Sequence, residues 1–444
     1  MKRILILGAG TAGTIMANRL RKLYKREMRA GALEITIVDQ DDRHIYQPGL
    51  LFVPFGIYSP DDCVKPRRPQ VKGRVRYVTG AIDRVEADED RVYLEGGKTL
   101  DYDILIVATG TEIAPHETDG LTGPGWNEKM FDFYTLEGAT RLAEALEKWE
   151  GGRLVLNIVE MPIKCPIAPL EFVFLADWYF TKKGMRDKVQ IALATPLDGA
   201  FTRPIASKAF GDLMERKGIE LVPDFNAGEV DGPEGKLKSW DEREVDFDLL
   251  VSIPLHMGAG YVSRSPGLGD DMNFVLTDPN TLQAKRKENI FALGDATNVP
   301  TSKAGSVAHF EAEVLEQNVR RYMEGEPLEE AFDGHANCFI ETGHGKAVLI
   351  DFNYEVEPLP GKFPFPGVGP LALLKETRFN HWGKLFFKWM YWHMLLPGYD
   401  IPAVPPRMSM RGKQRGDLPK LERHAVLGGS PNSSDNGDES SKVA

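Results

Sequence analysis

The sequence predicts an α/β fold: two Rossmann-like dinucleotide-binding domains, then a C-terminal domain with amphipathic membrane-associating helices. Three observations predict it. Residues 2–39 run as strand, glycine-rich turn, helix and strand. A second strand–helix alternation occupies residues 136–194. From about residue 331 the pattern changes to short strands, a Pro/Gly stretch and an aromatic, basic helix. Alternating strands and helices build parallel sheets, which need their faces covered by the intervening helices.

In chain order, residues 2–7 form a buried strand, 11–29 a helix and 34–38 a second strand. Between the first two stands Gly8-Ala9-Gly10-Thr11-Ala12-Gly13, a G-x-G-x-x-G pattern in the strand–turn–helix setting that gives it meaning. Gly8 permits the tight turn, Gly10 lets a pyrophosphate approach the backbone, and Gly13 lets helix and sheet pack closely. The helix N-terminus offers amide donors and partial positive charge. Asp39 ends the second strand, where an acid can accept hydrogen bonds from a ribose. Residues 75–78, 82–86 and 91–94 read as short antiparallel strands with a turn at Gly96-Gly97. Residues 103–107 are a buried strand closed by Ala108-Thr109-Gly110.

The second block gives a helix at 136–149, a strand at 153–159, a helix at 169–182 and a strand at 188–194. A strand at 290–293 then leads through Gly294-Asp295 into a helix at 304–324. Strands at 337–341 and 346–350 precede the Pro/Gly stretch 358–370. The expected division is 1–112 with 286–330 as a discontinuous dinucleotide-binding domain and 113–285 as a second Rossmann-like domain. Residues 331–427 are expected to form a separate C-terminal domain, and 428–444 a polar, disordered tail.

The chain has 444 residues, enough for two or three domains. Its net charge of −11 argues against nucleic acid as a partner. The three cysteines, Cys63, Cys165 and Cys338, lie too far apart for a metal knuckle or a disulfide framework. His309, His335 and His344 lack metal spacing, so no metal is expected. The opening residues pass straight into the glycine motif, so no targeting segment is expected. No apolar run approaches the roughly 18 residues that a membrane-spanning helix requires.

Two later segments select FAD. Ala108-Thr109-Gly110 closes the strand after the small β-meander. Ile290-Phe291-Ala292-Leu293-Gly294-Asp295-Ala296 resembles the second FAD fingerprint of two-dinucleotide-binding flavoproteins. That resemblance implies cofactor contacts from Thr109, Gly110, Gly294 and Asp295 besides the N-terminal glycines and Asp39. Pyridine-nucleotide disulfide reductases and type II NADH dehydrogenases carry a second glycine motif in the middle domain, for NAD(P)H. Here the strand at 153–159 runs on as Glu160-Met161-Pro162-Ile163-Lys164-Cys165-Pro166, and no glycine lies between Gly152 and Gly184. Met, Pro and Ile side chains would hold a pyrophosphate away from this turn. NAD(P)H is therefore not the expected electron donor.

Cys165-Pro166-Ile167-Ala168-Pro169-Leu170-Glu171 resembles the Cys-x-x-Ala-Pro-x-Glu segment of sulfide:quinone oxidoreductases and of the flavocytochrome c sulfide dehydrogenase flavoprotein. Asn337-Cys338-Phe339 matches that family's second redox cysteine. The resemblance implies a Cys165/Cys338 redox disulfide open to attack by hydrosulfide. A thiolate at Cys165 is expected to be favoured by a helix start and by Lys164, with Glu171 as acid/base. The family's third cysteine has no counterpart between Val64 and Lys164, so a three-cysteine cycle and a covalent thioether to FAD are both in doubt. Cys63 is expected to be non-catalytic.

Residues 371–396 place Asn380, His381, Lys384, Lys388 and Tyr391 on one side of a helix. Phe379, Trp382, Phe386, Trp389 and Met390 cover much of the rest. Residues 375–424 hold ten Lys and Arg against four Asp and Glu, which suits an interfacial helix on anionic lipid. Gly383-Lys384-Leu385-Phe386-Phe387 resembles the family's Gly-Lys-x-x-Phe pattern. By that match Lys384 reaches toward the flavin, while Phe339 and Phe387 flank a quinone. Lys303 and Gly305 resemble the family's Pro-Lys-x-Gly turn, which makes Lys303 a cofactor-binding candidate. The expected activity is FAD-dependent sulfide oxidation with transfer to a membrane quinone. The expected location is the membrane surface through residues 370–424, and a homo-oligomer stays open. Alternatives are a type II NADH:quinone dehydrogenase, the flavoprotein subunit of a flavocytochrome c-type sulfide dehydrogenase, and a flavin-bearing regulatory or assembly protein.

Overall fold

The structure, a computed structural model, describes residues 1–414. The expected tail at 428–444 lies outside the described residues, as do the parts beyond 414 of the expected 331–427 domain and 370–424 membrane stretch.

Seven α-helices order the described chain: α1 Thr11–Leu23, α2 Lys25–Arg29, α3 Leu136–Lys148, α4 Ala168–Lys182, α5 Pro204–Arg216, α6 Gly305–Glu324 and α7 Arg378–Met390. The first sheet has the strand order Ile290–Ala292, Ile104–Val107, Lys2–Leu7, Leu33–Asp39, Arg76–Thr79. All its pairings are parallel. The apolar run of Lys2–Leu7 sits mid-sheet, with Ile4 to Leu7 buried. The second sheet, order Met130–Phe131, Leu249–Ile253, Gly152–Ile158, Val189–Ala194, Ile219–Val222, is also parallel throughout. The fold is thus α/β with two Rossmann-like cores.

Three expectations are corrected. The helix expected at 11–29 divides at Tyr24 into α1 and α2. Arg76–Thr79 is not part of the antiparallel meander; it pairs in parallel with Leu33–Asp39, where Tyr77 and Val78 meet Ile37 and Val38. The meander consists of Ile82–Glu86, Arg91–Leu94 and Thr99–Asp101. The Pro/Gly stretch folds as a hairpin, Gly361–Phe365 against Gly369–Leu373, within a sheet that also holds Ala336–Gly343 and Lys346–Phe352.

Glycine is required where α1 meets the first sheet. Gly8 has φ +89° with its Cα against the Ala108 backbone, and a Cβ on Gly13 would collide with the Gly8 carbonyl. Helix α4 is apolar almost all round and correspondingly buried. Helix α7 is amphipathic but turned with its polar side inward. Asn380 is fully buried, whereas Phe379, Trp382, Phe386 and Trp389 are each at least half exposed. The Asn380 amide accepts from the Ala372 amide N–H (3.1 Å) and donates to the carbonyls of Ala372 (2.8 Å) and Lys375 (3.0 Å). It locks the helix to the hairpin. Asn380→Ala is expected to cost about 1–3 kcal/mol, because buried backbone groups lose their partner; urea denaturation of the holoprotein measures this.

Candidate functional site

A cavity of about 430 Å³ lies where the first sheet, α4, α6 and the C-terminal sheet meet. Gly10, Thr109, Gly110, Gly294, Asp295 and Lys303 line it, with Cys165, Cys338, Glu171, Phe339, Lys384 and Phe387. Twelve of the fifteen candidate residues thus share one space. Gly8, Gly13 and Asp39 stand outside its wall. The Asp39 carboxylate accepts the Ala9 N–H (2.6 Å) and pairs with Arg67, so it also braces the glycine turn.

The two strand-to-helix turns differ in length, and the difference places Cys165. In the first unit three residues, 8–10, separate the strand from α1. In the second, nine residues, 159–167, separate Ile158 from α4. Met161 and Ile163 bury themselves, and Lys164 bridges to Lys303. The Cys165 N–H donates to the Lys303 carbonyl, with Cys165 at φ +52°. The cysteine therefore reaches the cavity from the longer turn. Cys338 arrives from the strand Ala336–Gly343, across from Ile350.

Cys165, Cys338 and Cys63 are free thiols. Burial works against the thiolate expected at Cys165. Its position is two residues short of α4, and burial followed by the nearby Glu171 charge pushes its thiol up, with Lys384 opposing. Burial raises Cys338 to about 12, again against Lys384. Burial lowers the Lys164 pKa, opposed by the nearby Asp295 and Asp132 charges. Cys63 is fully buried against Gly49 in the short 3-10 turn Pro60–Cys63, with its thiol raised to about 11 by burial.

Glu171 lies in the first turn of α4 with its carboxyl buried. Oε1 accepts the Glu341 N–H (2.7 Å) and pairs with Lys384 Nζ (2.7 Å), while Oε2 has no hydrogen-bond partner. Burial raises the Glu171 pKa against the pull of Lys384. Burial works against the Lys384 charge as well, but Glu171 prevails and its pKa rises. Lys384 Nζ also donates to the Phe339 carbonyl (3.0 Å). Gly383 allows this approach, since a Cβ there would stand 2.8 Å from Phe339 Cζ.

The cavity wall around Gly10 and the starts of α1 and α6 fits an FAD. A Cβ on Gly10 would meet no atom within 4 Å, and no side chain caps the N-terminus of α1 or α6. Both helices therefore have amide donors free for a ligand. Lys303 Nζ donates to the carbonyls of Asp295 (3.0 Å) and Thr297 (2.6 Å), fixing the turn that carries Asp295. Burial lowers Lys303 to about 8, partly offset by Asp295.

Tyr391 was named from sequence only as part of a polar helix face, and Glu341 and Glu311, which stand just outside the cavity wall, were not singled out. Tyr391 lines the cavity, and its hydroxyl bonds Thr11 and His44 (both 2.7 Å), tying the end of α7 to the glycine turn. Its spacing of seven from Lys384 was the available signal. Glu341 and Glu311 carry no local signal. Of the histidines set aside, His309 faces Glu313 (2.9 Å), His335 is buried on Asp351 (2.7 Å), and His344 is half-exposed.

Burial raises Glu311 to about 8, opposed by its hydrogen bond from the Gly294 N–H. A folded state that keeps this proton loses stability as pH rises from about 4.5, where the unfolded chain releases it, to about 8. Glu311→Gln is expected to flatten the decline of Tm across pH 5–8, as followed by thermal unfolding of the holoprotein.

Residues 2–156 match the family model described as pyridine nucleotide-disulphide oxidoreductase. The chain is 26% identical to the mitochondrial sulfide:quinone oxidoreductase of Mus musculus over 402 residues, 89% of this chain and 86% of that protein. The type II NADH:quinone oxidoreductase of Staphylococcus haemolyticus is 28% identical over 147 residues, 33% of this chain and 34% of that protein. Among solved structures, the sulfide:quinone oxidoreductase of the hyperthermophilic bacterium Aquifex aeolicus superposes with a TM-score of 0.73 at 18% identity. That match covers 90% of this chain and 92% of the other, a likeness in fold.

Proposed function

From the premise that this chain is an FAD-dependent oxidoreductase homologous to sulfide:quinone oxidoreductases, we propose that it oxidises sulfide at a Cys165/Cys338 disulfide and delivers the electrons to a membrane quinone. One observation carries this reading. The cavity that fits FAD also holds both cysteines and ends on Phe339 and Phe387, beside the outward-facing aromatic side of α7. Residues 1–112 with 286–330 then serve as the FAD-binding domain, 113–285 as the second Rossmann-like domain, and 331–427 as the quinone and membrane unit.

Hydrosulfide attacks one sulfur of the disulfide. A new S–S bond forms as the old one breaks, leaving a persulfide on one cysteine and a thiolate on the other. FAD, when bound, supplies a two-electron carrier between sulfur and quinone. Gly10, Thr109, Gly110, Gly294, Asp295 and Lys303 line the end that holds it. Lys384 offsets negative charge beside the thiols, and Glu171 takes or gives protons there. Phe339 and Phe387 supply an apolar wall for the quinone ring.

The exposed face of α7 supports attachment to a membrane surface. Among the described residues no helix is long and apolar enough to cross a membrane.

Anaerobic mixing with sulfide should bleach the flavin of the wild-type protein. Cys165→Ser or Cys338→Ser should abolish bleaching, and Cys63→Ala should leave it intact. Rapid bleaching by NADH with none by sulfide would refute the reading. Replacing Phe379, Trp382, Phe386 and Trp389 together by Ser should lower partition onto anionic vesicles by more than about tenfold, since binding scales with buried apolar area; vesicle flotation measures it.

A further inference from the structure

The balance of the proposed reaction poses a transport problem. Oxidising HS⁻ to a sulfane sulfur yields two electrons and one proton. Reducing a quinone to a quinol takes up two electrons and two protons. The sum, HS⁻ + Q + H⁺ → S⁰ + QH₂, draws one proton per turnover from water. The quinone end of the cavity is walled by Phe339, Phe387 and Leu371, which conduct no proton.

Four ionisable side chains lead outward from that wall. Glu171 and Lys384 form the inner pair, and Lys384 also touches the Phe339 carbonyl. The Glu171 carboxylate accepts the Glu341 backbone N–H, which sets the buried Glu341 side chain beside the pair without a direct hydrogen bond from its carboxylate to either member. Glu341 in turn meets His381 Nδ1 at 2.8 and 3.0 Å. Side-chain exposure is 1% at Glu171, 11% at Lys384 and 2% at Glu341, then 23% at His381. The imidazole is the one member with substantial access to water, and among the described residues nothing hydrogen-bonds its Nε2. His381 and Lys384 sit three residues apart on the inward side of α7, so the helix that closes the cavity also carries both ends of the series.

We propose that His381 and Glu341 form a proton-relay branch that connects the buried Glu171–Lys384 pair to solvent and supplies quinone reduction. A proton taken at His381 Nε2 releases the Nδ1 proton to the Glu341 carboxylate. Glu341 then recharges the Glu171–Lys384 pair, which gives its proton to the quinone oxygen. No electron moves along this path. His381 and Glu341 act through the inner pair and do not touch the substrate.

The proposal rests on the quinone half of the reading above and is independent of the sulfide half, so its test bypasses sulfide. The holoenzyme is reduced anaerobically with dithionite, mixed with a water-soluble short-chain quinone, and reoxidation is followed by flavin absorbance. His381→Ala and Glu341→Gln are each expected to slow reoxidation at least about tenfold above pH 7, in keeping with the weight of a positioned proton donor. Added imidazole should restore most of the rate to His381→Ala and none to Glu341→Gln. Conservative His381→Gln should remain slow, with an unchanged flavin spectrum certifying the fold. Wild-type rates in His381→Ala, or slow rates that imidazole does not restore, would overturn the relay. A reduced wild-type enzyme that quinone fails to reoxidise would overturn the quinone reading instead.

Discussion

The buried ion pair between Lys384 and Glu171 joins three parts of the molecule at one point. Glu171 belongs to the helix of the second Rossmann-like unit, Lys384 to α7, and their shared neighbours Phe339 and Glu341 to the C-terminal sheet. Removing two charges from water costs several kcal/mol per ion, recovered only with good geometry and further hydrogen bonds. Both are present: Lys384 also meets a carbonyl, and Glu171 also accepts an amide N–H. Because the lysine must point inward, so must the rest of its helical face. Asn380 and His381 follow it into the protein, and Lys388 turns to Asp62 and the Tyr58 ring. The aromatic side is left facing out. An arrangement that would be inverted for an ordinary surface helix is thus held by this pair together with the Asn380 and Tyr391 anchors, and it turns Phe379, Trp382, Phe386 and Trp389 away from the core.

The second constraint is the nine-residue turn before α4. A parallel strand feeding a helix normally needs only a short link, as 8–10 provide in the first unit. The longer link gives up the close glycine approach and carries a side chain across the gap. Its position is held by backbone bonds to residue 303, which belongs to the turn preceding α6. The cysteine is therefore positioned by the first Rossmann-like unit although it hangs from the second. Tyr391 does the same from the C-terminal side through Thr11 and His44.

Features whose information is local were legible in the sequence. The strand–glycine–helix unit at 2–39, the repeated strand–helix alternation, and the segment Cys165–Glu171 each carry their meaning within a few residues. Residues set by tertiary pairing were not legible. Nothing around Arg76–Thr79 separates a fifth parallel strand from the first strand of a meander, because four residues fit either partner. The hairpin at 361–373 was hidden by proline and glycine, which suit an edge strand with a tight turn as well as a loop. The periodicity of 371–396 separated polar from aromatic faces, but not which faced inward; that depended on Glu171, more than two hundred residues away. The helix that follows Cys165 begins at Ala168, close to where the sequence placed it, but the sequence could not show how deeply the thiol is buried, and burial pushes its pKa up.

The electrostatics that replace that argument couple sulfur to protons. Cys165, Cys338 and Glu171 are three acids around one cavity, and Lys384 is the cation that acts on all three. In a site withdrawn from water, one positive charge balances one negative charge, and a second anion meets both desolvation and repulsion. With both thiols protonated, the carboxylate of Glu171 holds the lysine. Once a thiolate forms at either sulfur, it competes for the same ammonium group, and the carboxylate is driven to take up a proton. The three groups therefore titrate as one system rather than as separate residues. A thiolate in this cavity therefore works against a second negative charge on Glu171, whose Oε1 is held by the Glu341 backbone and whose Oε2 has no hydrogen-bond partner.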